Sequence, residues 1–261
     1  MVSAEIRRSE NVHRTRGLQR PRVLSRQQRS SAVHTFEDQI KSPDYPCVGA
    51  KAAMQRNAYR FGFYEEMGEI EAAKQCTVDL QHFAATSDEI DRDFATFIAI
   101  FADPCGVGEQ QFSEQLWRHL WLMARVDQKS YQWDAQYSSD PNSSEFAMSI
   151  GGRAFYIIGL HPGASRMARQ FPHCTLVFNA HSQFKQLKSK GAYNTIRDKI
   201  RLRDEALQGY INPMVEDHGV RSEAQQYDGA THPEGWRPPF SIETTSKGKC
   251  PFTGLSGALE K

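Results

Sequence analysis

The first pattern able to do chemistry is Cys47-Val48-Gly49-Ala50-Lys51-Ala52-Ala53. A cysteine followed two residues later by glycine, at the mouth of a small-residue helix, sets a thiol where the helix dipole and unpaired backbone amides favour the thiolate. Gly49 leaves the backbone bare for the close approach of a flat ligand. Those are the needs of an axial cysteinate on haem iron. A buried cysteine at a tight turn satisfies the same short pattern, so both readings stand at this point. A denser block runs Gly159-Leu160-His161-Pro162-Gly163-Ala164-Ser165-Arg166-Met167-Ala168-Arg169, followed by Val177-Phe178-Asn179-Ala180-His181. The sequence contains no Walker loop, no GxGxxG, no HExxH and no GxSxG elbow.

Hydrophobic periodicity marks out the elements that must hold these residues. Ser31 is expected to cap a short helix with Val33, Phe36 and Ile40 on its apolar face, ended by Pro43 and Pro46. A helix after Cys47 leads to an alternating strand at Tyr59–Phe63, and residues 69–82 read as a second helix. Residues 96–101 are apolar on both faces, which suits a central strand. Ser113 is expected to open a helix carrying Leu116, Trp117, Leu120 and Met123. Residues 146–150 and 154–160 flank Gly151-Gly152, a hairpin turn signal; residues 174–178 form a further strand, and helices follow at 182–190 and 193–208. From Gly209 onward proline, glycine and polar residues predict an irregular C-terminal wrap. The expected architecture is a single α+β domain over 31–253, with a mixed, mostly antiparallel sheet of about five strands packed with helices. An Arg-rich tail (1–30) and a short C-terminal tail (254–261) flank it.

Composition limits the classes open to the chain. At 261 residues and 39% hydrophobic content it is long enough for one substantial core. No window approaches the roughly twenty apolar residues of a membrane span. The first residues lack the apolar stretch of a secretory signal, so a cytoplasmic location with reduced thiols is expected. Five scattered cysteines without a CxxC pair argue against a disulfide framework or zinc ribbon. The net charge of +1 conceals eight arginines in the first thirty residues, opposed only by Glu5 and Glu10. Such an arm suits a solvated tail, nucleic-acid contact or organelle targeting; the body shows no aromatic-basic alternation, so nucleic-acid binding ranks last.

Taken in order, Tyr45-Pro46-Cys47, the Gly159–Phe171 block, the Val177–Phe184 block, Ile200–Asp204, Leu207–Met214, Glu223–Tyr227 and Cys250-Pro251-Phe252 resemble the YqcI/YcgG family, from about Tyr45 to Phe252. That family includes haem proteins that hydroxylate a guanidino nitrogen, among them the arginine hydroxylase of the D-cycloserine route and the guanitoxin N-hydroxylase. The Leu-His-Pro-Gly-Ala-Ser-Arg block is similar to the guanitoxin-type branch. The Cys-x-Gly turn also resembles the cysteine loop of thiolate-ligated haem monooxygenases, and nitric oxide synthases carry a similar Cys-Val-Gly.

The resemblance implies haem b, dioxygen, an external electron donor in the form of a separate redox partner, and a small guanidine or amine substrate. Under it Cys47, beside Gly49, is the first choice of axial ligand. His161, held at a strand end by Pro162-Gly163, is the rival ligand and a candidate catalytic histidine; His181 comes third, and Cys250, before Pro251, is a second style of haem thiolate. Each histidine equally suits a hydrogen-bonded core or surface position. Arg166 and Arg169, three apart, can face the haem propionates or make surface pairs. Asp204, Glu205, Asp217 and Glu223 are candidate partners of a cationic substrate, with Glu223 the catalytic choice; Asp204 can instead couple to Arg201 or Arg203. Tyr227 and Trp236 either wall the pocket or pack. The reading that follows is a haem-dependent N-hydroxylase, and the alternative is a haem- or metal-binding sensor without catalysis.

Overall fold

The structure, a computed structural model, describes residues 23–241 apart from 105, 190, 192 and 211–221. The arginines before Val23, Cys105, Asp217, Cys250 and the C-terminal tail lie outside the described residues. Helix α1 spans Arg26–Lys41 and is capped by Ser25, whose hydroxyl accepts the Gln28 amide while the Gln28 side chain returns to the Ser25 amide. This reciprocal capping box starts the helix six residues before the expected Ser31, and the polar run Arg26-Gln27-Gln28-Arg29 consists of good helix formers. Ala32, Phe36 and Ile40 form its buried stripe, with Ala32 taking the place expected of Val33.

Helix α2 (Val48–Gln55) follows, then strand β1 (Tyr59–Glu66) and helix α3 (Ile70–Ile90). α3 runs eight residues past its expected end because Phe83, Ala84 and Ser87 continue the buried face of Cys76 and Leu80. Strand β2 (Thr96–Asp103) is buried through Ala102, as its two-sided apolar pattern predicts. Helix α4 (Glu109–Asp127) begins after Gly108 rather than at Ser113. The Ser113 hydroxyl is engaged elsewhere, donating to the Asp228 carboxylate at 2.6 Å.

Strands β3 (Met148–Ile150) and β4 (Arg153–Leu160) form the expected hairpin, with Gly151 at φ +64 and Gly152 at φ +70 as the turn demands. Strand β5 (Thr175–Ala180), helix α5 (His181–Ser189) and helix α6 (Tyr193–Gln208) complete the regular elements. Among the described residues the five strands form one sheet in the order β1-β2-β5-β4-β3. β1 pairs parallel with β2, across the α3 crossover, and every other pairing is antiparallel. The chain is therefore an α+β domain with a mixed, mostly antiparallel sheet.

Strand alternation gives the sheet two working faces. Phe97, Ala99 and Phe101 of β2, Phe155 and Ile157 of β4, and Leu176 and Phe178 of β5 pack with α3 and α4 around the fully buried Trp117. The opposite face presents Ile98, Ile100, Ile158, Leu160 and Val177 to Phe36 and Ile40 of α1. The described C-terminal segment, residues 222–241, is irregular apart from a 3-10 turn at Glu223–Gln226. It runs beside β4 beyond the short β3, where the Gly159 amide donates to the Tyr227 carbonyl at 2.7 Å.

Candidate functional site

On the second face the helices do not close down on the sheet, and a cavity of about 310 Å³ remains. Register builds its floor: Thr96, Asn179 and Tyr156 align across β2, β5 and β4, and Ile98, Val177 and Ile158 form the next row. Ala50, Ala53 and Met54 of α2 form one wall. Ile196, Ile200 and Asp204, four residues apart on α6, cover it together with Arg197 and Arg201. Most of this lining is apolar, with a few charged groups set into it, the composition of a small-molecule site.

Cys47 lies on the wall as the N-cap of α2, its sulfur accepting the Ala50 amide at 3.4 Å. A Cβ added at Gly49 would meet nothing nearer than the Cys47 sulfur at 3.9 Å, so the space beside the thiol is open. Burial pushes the thiol up from its ordinary value, against the smaller opposing pull of the Ala50 and Gly49 amides and the Arg169 charge. This corrects the expected preference for thiolate: desolvation outweighs the helix mouth until something in the cavity takes the proton's place. Cys76 and Cys174, the other free cysteines among the described residues, are buried away from the cavity in the α3–α4 core.

Arg166 caps and Arg169 ends a 3-10 turn, Met167–Arg169, and both reach the cavity. Neither is a surface residue; each is 8% exposed. One Arg166 nitrogen bonds both Asp204 oxygens at 2.8 Å, a buried pair that ties α6 to the turn. Gln208 adds two bonds at the same place, to the Met167 amide and the Ser165 carbonyl. Arg169 donates to the carbonyls of Gly159, Gln226 and Tyr227, and no carboxylate among the described residues pairs with it. Its charge is thus spread over backbone dipoles, and burial pulls its pKa down.

Glu223, 8% exposed, reaches the cavity from the C-terminal segment. Its carboxylate meets His181 Nε2 at 2.8 and 2.9 Å and accepts the Tyr227 hydroxyl. Burial raises its pKa, and the His181 and Tyr227 contacts oppose that rise. His181 therefore belongs to Glu223 and not to the cavity lining. His161 lies on the other face of the sheet, as the odd parity of β4 dictates, stacked on Phe112 of α4 with ring centroids 4.2 Å apart. The structure consequently brings Cys47, Gly49, Arg166, Arg169, Asp204 and Glu223 together and leaves His161 apart. Glu205 is exposed on α6. Tyr227 and Trp236 both pack, Tyr227 stacking 5.7 Å from Trp117.

Residues that the motifs did not single out also line the site: Tyr156, Asn179, Gln183 and Gln226. The signal for Asn179 was a polar residue at a strand position whose parity matches Val177. Gln226 bonds the Tyr156 hydroxyl at 2.7 Å, a pairing of distant segments that no local pattern encodes.

Among the described residues no group of three or more histidine, cysteine, aspartate or glutamate side chains is placed to hold a metal ion, and no helix is long and apolar enough to cross a membrane. No curated protein and no solved structure matches the chain. The profile of the YqcI/YcgG family matches residues 36–241, which take in every helix and strand except the first turns of α1, together with all the cavity residues named above. The chain belongs to the YqcI/YcgG family.

Proposed function

We propose that Cys47 would hold haem b in the cavity, and that the protein uses dioxygen and an external electron donor to N-hydroxylate a small guanidine or related amine. The observation that carries the reading is the Cys47 thiol facing an apolar cavity, with bare backbone at Gly49 beside it and, on the same lining, the guanidinium of Arg169, which no carboxylate among the described residues pairs. Two features of the lining suit the group. Haem needs one protein donor, which a site without a multi-ligand cluster can still offer. Its propionates need cationic partners, and Arg169 has no competing carboxylate among the described residues. Ligation to iron deprotonates a thiol outright, which meets the desolvation that otherwise keeps Cys47 protonated.

Haem bound through a cysteinate supplies dioxygen activation, because the thiolate donates electron density that favours O–O cleavage. The remaining roles fall to the chain. Glu223 offers a buried carboxylate to a guanidinium or ammonium group, an interaction strengthened where water is scarce. Asp204 is already engaged by Arg166, so it holds α6 over the cavity rather than binding substrate. Ile98, Ile158 and Val177 keep the floor dry.

The test uses the full chain reconstituted with haem, a one-electron reductant, isotopically labelled dioxygen and a panel of guanidines and primary amines. An N-hydroxylated product carrying one labelled oxygen is expected. Haem retained with no labelled product from any compound would contradict catalysis and favour the sensor alternative; failure to retain haem would remove both.

A further inference from the structure

Glu223 has two sides. One lines the cavity, and the other meets His181, the first residue of α5, which is buried and outside the cavity lining. Both carboxylate oxygens lie within 2.9 Å of His181 Nε2. Outward from His181 the next ring is that of Tyr137, half-buried, with centroids 4.8 Å apart. The exposed Lys185 ammonium lies 4.8 Å from the Tyr137 ring. The order from cavity to surface is Glu223, His181, Tyr137, Lys185.

Also around the imidazole are the rings of Phe184 at 5.6 Å and Tyr156 at 6.4 Å; Tyr227 reaches it through Glu223. Arg153, bonded to Asp88, Ser87 and Ser182, is the charged group beside the start of α5. A carboxylate and imidazole joined in this way form a unit that takes a proton at one end and releases it at the other.

The proposed reaction requires such a unit. Written in full, R–NH2 + O2 + 2 e⁻ + 2 H⁺ gives R–NHOH + H2O. One N–H bond and the O–O bond break; N–O and O–H bonds form; the two electrons come from a one-electron carrier protein. The two protons come from solvent.

We propose that His181 returns protons to Glu223 from the side away from the cavity, and that Glu223 passes them to the ligand in the cavity. This rests on the N-hydroxylase reading. His181 is a positioning residue that acts through Glu223 and never touches the ligand. The burial that raises Glu223 suits it to hold a proton closer to neutral pH than an exposed carboxylate does.

Two measurements on His181→Gln test the relay. Gln keeps a donor for Glu223 but carries no titratable proton. The first is a pH-difference infrared titration of the full chain without cofactor, with Glu223→Gln identifying the carboxyl band. Losing the imidazole removes an influence that lowers Glu223, so the band should titrate at higher pH in His181→Gln. The second is steady-state turnover with methylguanidine. kcat should fall by about 10²-fold, the scale of a lost acid–base group, with a larger solvent deuterium isotope effect. An unshifted carboxyl band, or unchanged kcat and isotope effect, overturns the relay. If the protein turns nothing over, the N-hydroxylase reading fails, while the infrared arm still decides whether His181 controls Glu223. If His181→Gln does not fold, His181→Asn, which also carries no titratable proton, is read by the same two measurements.

Discussion

Removing the charge of Asp204 tests how α6 is held over the cavity. Asp204→Asn keeps the side-chain shape and leaves Arg166 buried without its counter-charge, with Arg166 Nε already lacking a hydrogen-bond partner. Breaking a buried pair by removing one member costs about 3–5 kcal/mol. Both side chains keep a little exposure, 9% and 8%, which favours the lower end, about 3 kcal/mol. For a domain of this size each kcal/mol moves the melting temperature by roughly 2–4 °C, so a fall of roughly 6–12 °C is expected. Thermal unfolding followed by circular dichroism reads it. The double variant Arg166→Met/Asp204→Leu removes both charges of this pair and should recover most of the loss, because apolar replacement of a buried pair is often neutral. A single variant within 2 °C or so of the parent, on that scaling, refutes the reasoning. So does a double variant as unstable as the single, since the loss would then come from something other than the stranded guanidinium.

Other outcomes follow from the same geometry. Gly163→Ala puts a Cβ 2.3 Å from the Val107 carbonyl oxygen, at the bridge between Gly108 and Gly163. It should cost about 1–3 kcal/mol, seen as a lower urea midpoint at unchanged slope; an unchanged midpoint counts against the packing described. His119 is fully buried and its pKa is pushed down to about 3 by desolvation, with Nδ1 accepting the Gly68 amide. Between its unfolded value near 6.5 and that folded value the unfolded chain binds a proton that the folded chain refuses. Stability is therefore lost as pH falls through this window, by up to about 1.4 kcal/mol per pH unit. His119→Gln should flatten that dependence in urea titrations compared at neutral and mildly acidic pH, and an identical slope in both proteins contradicts it.

Sequence reading reached the fold because the strands announce themselves by pattern. The two-sided apolar run of β2, the Gly151-Gly152 turn and the β5 run were each legible locally. Helix starts were less so. Ser31 and Ser113 have the right residue type for caps, yet Ser25 closes a complete capping box upstream and the Ser113 hydroxyl serves Asp228, more than a hundred residues away. The site divided on the same line. Cys47 with Gly49, and Arg166 with Arg169, could be named from short motifs, and they converge on one cavity. His161 could not be assigned to a face, since that depends on strand parity and on Phe112 arriving from α4. The thiol's preference was misjudged because the helix mouth is visible in sequence and the depth of burial is not. Arg166 with Asp204, and His181 with Glu223, join segments about forty residues apart, which side-chain spacing does not reveal.

The most direct test of the central claim is the absorption spectrum of the haem-loaded protein, oxidised and then reduced under carbon monoxide, for the parent, Cys47→Ala and Cys76→Ala. The account predicts the long-wavelength Soret band of a thiolate-ligated ferrous carbonyl in the parent and in Cys76→Ala, and its loss in Cys47→Ala. A parent spectrum without a Soret band, or a thiolate band that survives in Cys47→Ala, contradicts it.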